Sequence, residues 1–186
     1  MIYIIDSQLA NGSHSSATLK IISDFTKEKT KLYEVNPDNS DIIPIINELI
    51  DIVSSTDIVV CPWVIPKHAL IDQLFSILSE KCFVVCAAGN FSDDIKNWTP
   101  ASNSTVITVG CLNKSGKKAT LSNYSNTKKL EWVVGTNYMV DKLESGTSVS
   151  VAIYAAFLAE AVIQNDFSII EKMNSQHSAK MLAELG

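Results

Sequence analysis

Short, almost unbroken apolar runs alternate with helix-patterned stretches along the whole chain. The runs are Met1–Asp6, Lys31–Val35, Asp57–Cys61, Cys82–Ala87, Thr105–Cys111 and Glu131–Val134. Between them, Ser13–Phe25, Asp41–Val53 and Lys67–Glu80 have helical spacing, and two more helices, Ser148–Gln164 and roughly 167–183, close the chain. A strand that is apolar on both faces needs cover on both. The pattern therefore predicts an α/β fold in three layers, a mostly parallel sheet between helices. In such sheets function gathers at the C-terminal strand ends. Asp6, Cys61-Pro62-Trp63 and Gly89-Asn90 fall at those ends.

The chain's 186 residues, with no repeat and no linker, are read as one domain spanning 1–186. A net charge of −5 argues against a nucleic-acid partner. The lysines at 27–31, 114–118 and 128–129 lie in polar loops and read as solvated surface. No basic segment followed by an apolar one opens the chain, and no apolar run is read as long enough to cross a bilayer. The expectation is a cytoplasmic protein without membrane contact. Cys61, Cys82, Cys86 and Cys111 sit in or beside apolar runs at spacings that fit no zinc pattern. They read as reduced, buried thiols. No metal and no cofactor are expected.

One stretch carries chemistry. In Glu144-Ser-Gly-Thr-Ser148 a small-residue turn runs into the apolar helix. A serine there lies at the positive end of a helix dipole, beside N–H groups without intrahelical acceptors. The same position suits a nucleophile with an oxyanion site or an ordinary helix cap.

Several segments then match in order. Val84-Val-Cys-Ala-Ala-Gly-Asn90, Pro100 with Val106-Ile-Thr-Val-Gly110, Ala119-Thr-Leu-Ser-Asn-Tyr-Ser125, Gly135-Thr-Asn137 and Gly146-Thr-Ser148 together resemble the subtilisin-like serine peptidases, the subtilases. The resemblance implies a subtilisin-like fold in truncated form. It implies Ser148 as nucleophile, Asn90 as oxyanion donor, Asp6 as the carboxylate that orients the base, and a cis peptide before Pro100.

The base is where the chain departs from the family. The family's His-Gly-Thr-His-Val-Ala-Gly-Thr run matches Asn11-Gly-Ser-His-Ser-Ser-Ala-Thr18, which puts Asn11 at the general-base position. An amide has no basic lone pair with which to take the serine proton. His14, three residues on, is the alternative base, and otherwise a surface or packing residue. Only four residues separate Asp6 from Asn11, where the family carries a longer excursion. Counting back from Asn90 places Val60-Cys-Pro-Trp63 on the edge against which a family substrate pairs. Cys61, Pro62, Trp63 and Gly89 are thus read as lining a substrate or partner cleft, with Trp63 either narrowing it or packing.

The sequence favours a non-catalytic subtilase homologue, a pseudopeptidase. It would bind a peptide or a partner protein, such as an active peptidase or a peptide-modifying enzyme, as a homo- or hetero-oligomer. The alternative is a minimal serine endopeptidase using Ser148 with Asp6 and either His14 or a partner-supplied histidine.

Overall fold

The computed structural model describes residues 1–7, 13–35, 41–139 and 143–173. Its centre is a six-stranded sheet. The strands are β1 (Ile2–Ser7), β2 (Thr30–Val35), β3 (Ile58–Cys61), β5 (Phe83–Ala87), β7 (Ile107–Leu112) and β8 (Glu131–Val134). Their order across the sheet is β2-β1-β3-β5-β7-β8, and every pairing is parallel. Two small antiparallel ribbons lie outside it: β4 (Ile65–Pro66) with β6 (Trp98–Thr99), and β9 (Tyr138–Met139) with β10 (Leu143–Glu144).

Side chains alternate across the pleat, and both sets are apolar. Ile2, Ile4, Ile58, Val60, Val85, Ala87, Val109 and Val133 turn to one face, where α1 (Ser13–Phe25) and α4 (Thr147–Gln164) cover them. Tyr3, Ile5, Val59, Cys61, Val84 and Cys86 turn to the other, under α2 (Ile42–Ile52) and α3 (Ala69–Ser79). This two-sided burial explains why the strands read as continuous apolar runs rather than alternating ones. The three-layer α/β expectation holds.

Helix ends follow local chemistry. Pro44 sits in the first turn of α2, where a missing N–H costs nothing. α3 starts two residues later than its periodicity suggests, because His68 takes the cap position and accepts from the Ile71 N–H at 3.3 Å. α4 is apolar on all sides. Its 18 residues meet the length and hydropathy of a membrane-crossing helix, which corrects the sequence expectation. Here the helix packs into the core, with Val151, Ala152, Ile153, Ala155 and Ala156 fully buried. Of the expected final helix, residues 168–173 are helical and 174–186 lie outside the described residues.

The four cysteines are buried and unpaired with one another. Burial pushes the Cys82 thiol up to about 12 and the Cys86 thiol up to about 11, so neither forms a nucleophilic thiolate near neutral pH.

Trp63 has turned into the core. It is 7% exposed, its ring packs against Phe75 of α3, and its Nε1 donates to the Ile5 carbonyl at 2.7 Å. It therefore ties the loop after β3 to the end of β1. Trp63→Phe is expected to lower unfolding free energy by about 1–3 kcal/mol, since a buried acceptor loses its donor. Urea denaturation checks this.

Candidate active site

The strand order reverses between β1 and β3: the chain turns to β2 on one side and to β3, β5 and β7 on the other. Loops diverge at such a switch point and leave a crevice at the strand ends. Asp6 stands there, on the last turn of the pleat in β1, with no exposed surface. A carboxylate in that position needs donors. Asp6 Oδ1 accepts from the Ser7 N–H at 2.7 Å and pairs with His14 Nδ1 at 2.8 Å, and Oδ2 accepts from Thr18 Oγ1 at 2.8 Å. His14 and Thr18 are one helical turn apart on α1, so a single face of that helix grips the carboxylate from two sides.

Asp6 therefore has a histidine partner. Asn11, the residue in the family's base register, lies outside the described residues. The bond through Nδ1 leaves Nε2 as the free ring nitrogen, the one that carries the lone pair in neutral imidazole. The hydrogen bond to Asp6 raises the His14 pKa above its ordinary value. Partial burial opposes this, while the Asp6 and Glu144 charges reinforce it. The influence of Glu144 is informative, because Glu144 begins the Glu144–Ser148 turn.

In that turn the helix starts at Thr147, and Gly146 occupies the cap position without a side-chain cap bond. Ser148 is thus not a capping residue. It is half-buried in the first turn of α4, and among the described residues its hydroxyl makes no hydrogen bond, to His14 or to any other group. Catalytic hydrogen bonds often close only around a bound substrate.

Asn90 faces this turn. A Cβ added to Gly146 would come within 3.0 Å of Asn90 Nδ2. Asn90 Oδ1 accepts from the Thr147 N–H and from Thr147 Oγ1, each at 3.0 Å. A backbone N–H can only donate, so Oδ1 is the acceptor at the helix start and Nδ2, beside Gly146, is the donor end of the amide. The Asn90 side chain is held by the same turn that carries Ser148. An amide NH2 and the N–H groups at a helix start are the kinds of donor that stabilise an oxyanion.

Two residues without an expected role complete the support. Thr147 Oγ1 also accepts from the Gly89 N–H at 3.1 Å. Asn123, fully buried, donates from Nδ2 to the Ala88 carbonyl at 2.9 Å, and its Oδ1 accepts from the N–H groups of Phe91 and Asp93 at 2.9 and 3.0 Å. Asn123 thereby fixes the loop that carries Asn90. Its place in the Leu121-Ser-Asn-Tyr-Ser125 segment was the only sequence signal for it.

The proposed cleft residues require correction. Cys61 and Trp63 are core residues on the α2–α3 side, and Gly89 lies buried between Thr147 and Asn123. Pro62 is buried as well. Of the two readings of Trp63, packing describes it. The Thr99-Pro100 peptide is cis, as the resemblance implies.

Gly135 lies where the end of β8 closely approaches the Gly146-Thr147-Ser148 turn. Its carbonyl accepts from the Gly146 N–H at 2.9 Å, and a Cβ there would meet Ser150 Oγ at 2.1 Å and the Gly146 carbonyl at 2.9 Å. Gly135→Ala is expected to cost about 1–3 kcal/mol by forcing the start of α4 outward. Thermal denaturation gives the loss.

The fold is a parallel sheet between helices that carries a carboxylate–imidazole pair, a helix-start serine and a facing amide. The sequence profile of the subtilase family, Peptidase S8, matches residues 62–178. The chain belongs to the subtilase family. It is 34% identical over 98 residues to a subtilisin-like proteinase of Encephalitozoon cuniculi, covering 53% of this chain and 18% of that one. It is 51% identical over 57 residues to a cuticle-degrading serine protease of Orbilia oligospora, covering 31% and 13%. The matches thus span under a fifth of those relatives' length. Among solved structures, a cold-adapted subtilisin-like serine proteinase superposes with a TM-score of 0.73 at 17% identity, covering 94% of this chain and 79% of that one. The prenylagaramide maturation protease gives 0.68 at 15%, covering 94% and 81%.

Proposed function

We propose that this subtilase domain is a serine hydrolase acting on a peptide carbonyl, with His14 as the base. The observation that carries the reading is the 2.8 Å pairing of His14 Nδ1 with buried Asp6. Ser148 Oγ attacks the carbonyl carbon and its proton passes to His14 Nε2. Asp6 holds Nδ1 and stabilises the imidazolium. The carbonyl oxygen, now negative, accepts from Asn90 Nδ2 and the Ser148 N–H. Collapse of the tetrahedral species expels the amine, which takes the proton from His14 and leaves an acyl-enzyme. Water, deprotonated by His14, then releases the acid. A histidine supplied by a partner is disfavoured, because Ser7, His14 and Thr18 already occupy Asp6.

A second reading, the pseudopeptidase, is favoured by the sequence register that puts Asn11 at the family's base position. In it, His14 plugs Asp6 and the chain binds a peptide or a partner peptidase in the cytoplasm. Hydrolysis of an activated ester separates the two. The first reading predicts turnover by the wild type that Ser148→Ala abolishes. The second predicts an inert wild type in which Asn11→His creates activity.

A further inference from the structure

At the opposite end of the sheet from Asp6 and Asn90 lies a cavity of about 500 Å³, a size that suits a small organic molecule. Phe83, Ile107 and Glu131 line it where β5, β7 and β8 begin. Leu158 of α4 and half-exposed Phe167 line it as well, and the Phe83 and Phe167 rings lie 6.4 Å apart at 46°. One polar group among these apolar walls has no counterpart. Tyr154 of α4 lines the cavity and is 6% exposed, yet among the described residues its hydroxyl has no hydrogen-bond partner. A buried tyrosine hydroxyl usually finds one. Burial, reinforced by the Glu131 charge, holds the Tyr154 pKa above its ordinary value, so the group is a neutral hydroxyl that can donate or accept. The charged residues of the lining are two carboxylates, Glu131 and Glu171, and one lysine, Lys129. Lys129 pairs with Glu131 at 3.3 Å through a side chain that is 88% exposed.

We propose that this cavity binds a small aromatic amine, its ring among Phe83, Leu158 and Phe167 and its ammonium between the Tyr154 hydroxyl and the Glu131 carboxylate. The site is separate from the Asp6–His14 pair and does not depend on what Ser148 does. Ring walls favour an aromatic occupant, packed offset or edge-on, and tolerate a cation beside their faces. An ammonium only donates, so it supplies what both oxygens lack: the Tyr154 oxygen and the Glu131 carboxylate can each accept from it. Such charge-assisted bonds are about twice as strong as neutral ones. An anion meets two carboxylates and a lysine that Glu131 already engages. A neutral aromatic fills the apolar part and leaves the negative charge unmatched.

The test titrates the full chain at neutral pH with phenethylamine, phenethyl alcohol and phenylacetate, three probes with one ring and different head groups, followed by NMR. Phenethylamine is expected to give saturable shifts at Phe83, Ile107, Tyr154 and Phe167. It should bind about 10-fold more tightly than phenethyl alcohol, with phenylacetate weaker still. Tyr154→Phe keeps the ring and its packing and should weaken the amine about 10-fold, the scale of a hydrogen bond to a charged group. Glu131→Gln should bring the amine to the level of the alcohol. Thermal melts confirm that both variants fold. The proposal is overturned by an absence of saturation, by shifts at Asn90 and Ser148 instead, or by an alcohol or phenylacetate that binds as tightly as the amine. An amine affinity that either substitution leaves unchanged overturns it as well.

Discussion

Replacing His14 with alanine is expected to slow acylation of Ser148 by about 10,000-fold, the scale on which a triad member counts. Two functions go together in that change: the proton acceptor for Ser148 and the partner that Asp6 orients. The pH dependence gives an independent signature. The His14 pKa is raised, first by its bond to Asp6. The base works only when neutral, so the acylation rate should rise with pH through a midpoint above the ordinary histidine range near 6.5. Asp6→Asn should lower that midpoint. Stability runs the opposite way. A raised folded pKa makes the pair stabilise the fold fully below the unfolded pKa, and the contribution is lost as pH rises through the folded value. His14→Ala should therefore destabilise the protein more at pH 5 than at pH 9. A purely packing histidine would alter the acylation profile at no pH.

Asn90→Asp is the second large effect, and the geometry makes it a clean one. Asn90 Oδ1 accepts twice from Thr147, so a carboxylate oxygen can keep both bonds while the NH2 donor is lost. Acylation should fall about 100- to 1,000-fold, the usual cost of losing one oxyanion donor. The melting temperature should hold within a few degrees, because an anion at the start of α4 meets the positive end of the helix. Stopped-flow labelling beside a thermal melt separates the two quantities. A parallel collapse of both would mean that Asn90 supports the turn rather than the reaction.

Much of this was legible in the residues, and the exceptions have physical causes. The central strands could be read because they are buried on both faces, so Ile2–Ile5 or Ile58–Cys61 show no polar interruption, while edge strand β2, Thr30–Val35, is mostly exposed and was read from its Leu-Tyr-Glu-Val stretch. The four short strands could not, because two-residue ribbons such as Ile65–Pro66 with Trp98–Thr99 have no period to detect. Asp6, Asn90 and Ser148 could be placed at strand ends and a helix start, because position there follows directly from the chain. The Asp6–His14 pair stood in the sequence only as the alternative to Asn11, which the motif register favours, because no local pattern fixes a contact between residues eight apart. Trp63 stood open between narrowing a cleft and packing, and only the long-range bond from its Nε1 to the Ile5 carbonyl, 58 residues earlier, decides for packing. Asn123 shows no role in the sequence beyond its place in a motif, since its bonds to Ala88, Phe91 and Asp93 are long-range and no local pattern contains them.

The central claim is that Ser148 is an activated nucleophile served by His14. The most direct measurement is the intact mass of the wild-type chain after incubation with a fluorophosphonate, beside folded Ser148→Ala and His14→Ala. The account predicts one covalent adduct on the wild type, none on Ser148→Ala, and labelling of His14→Ala slowed by orders of magnitude. A folded wild type that gains no mass, or a His14→Ala chain that labels as fast as wild type, would contradict it.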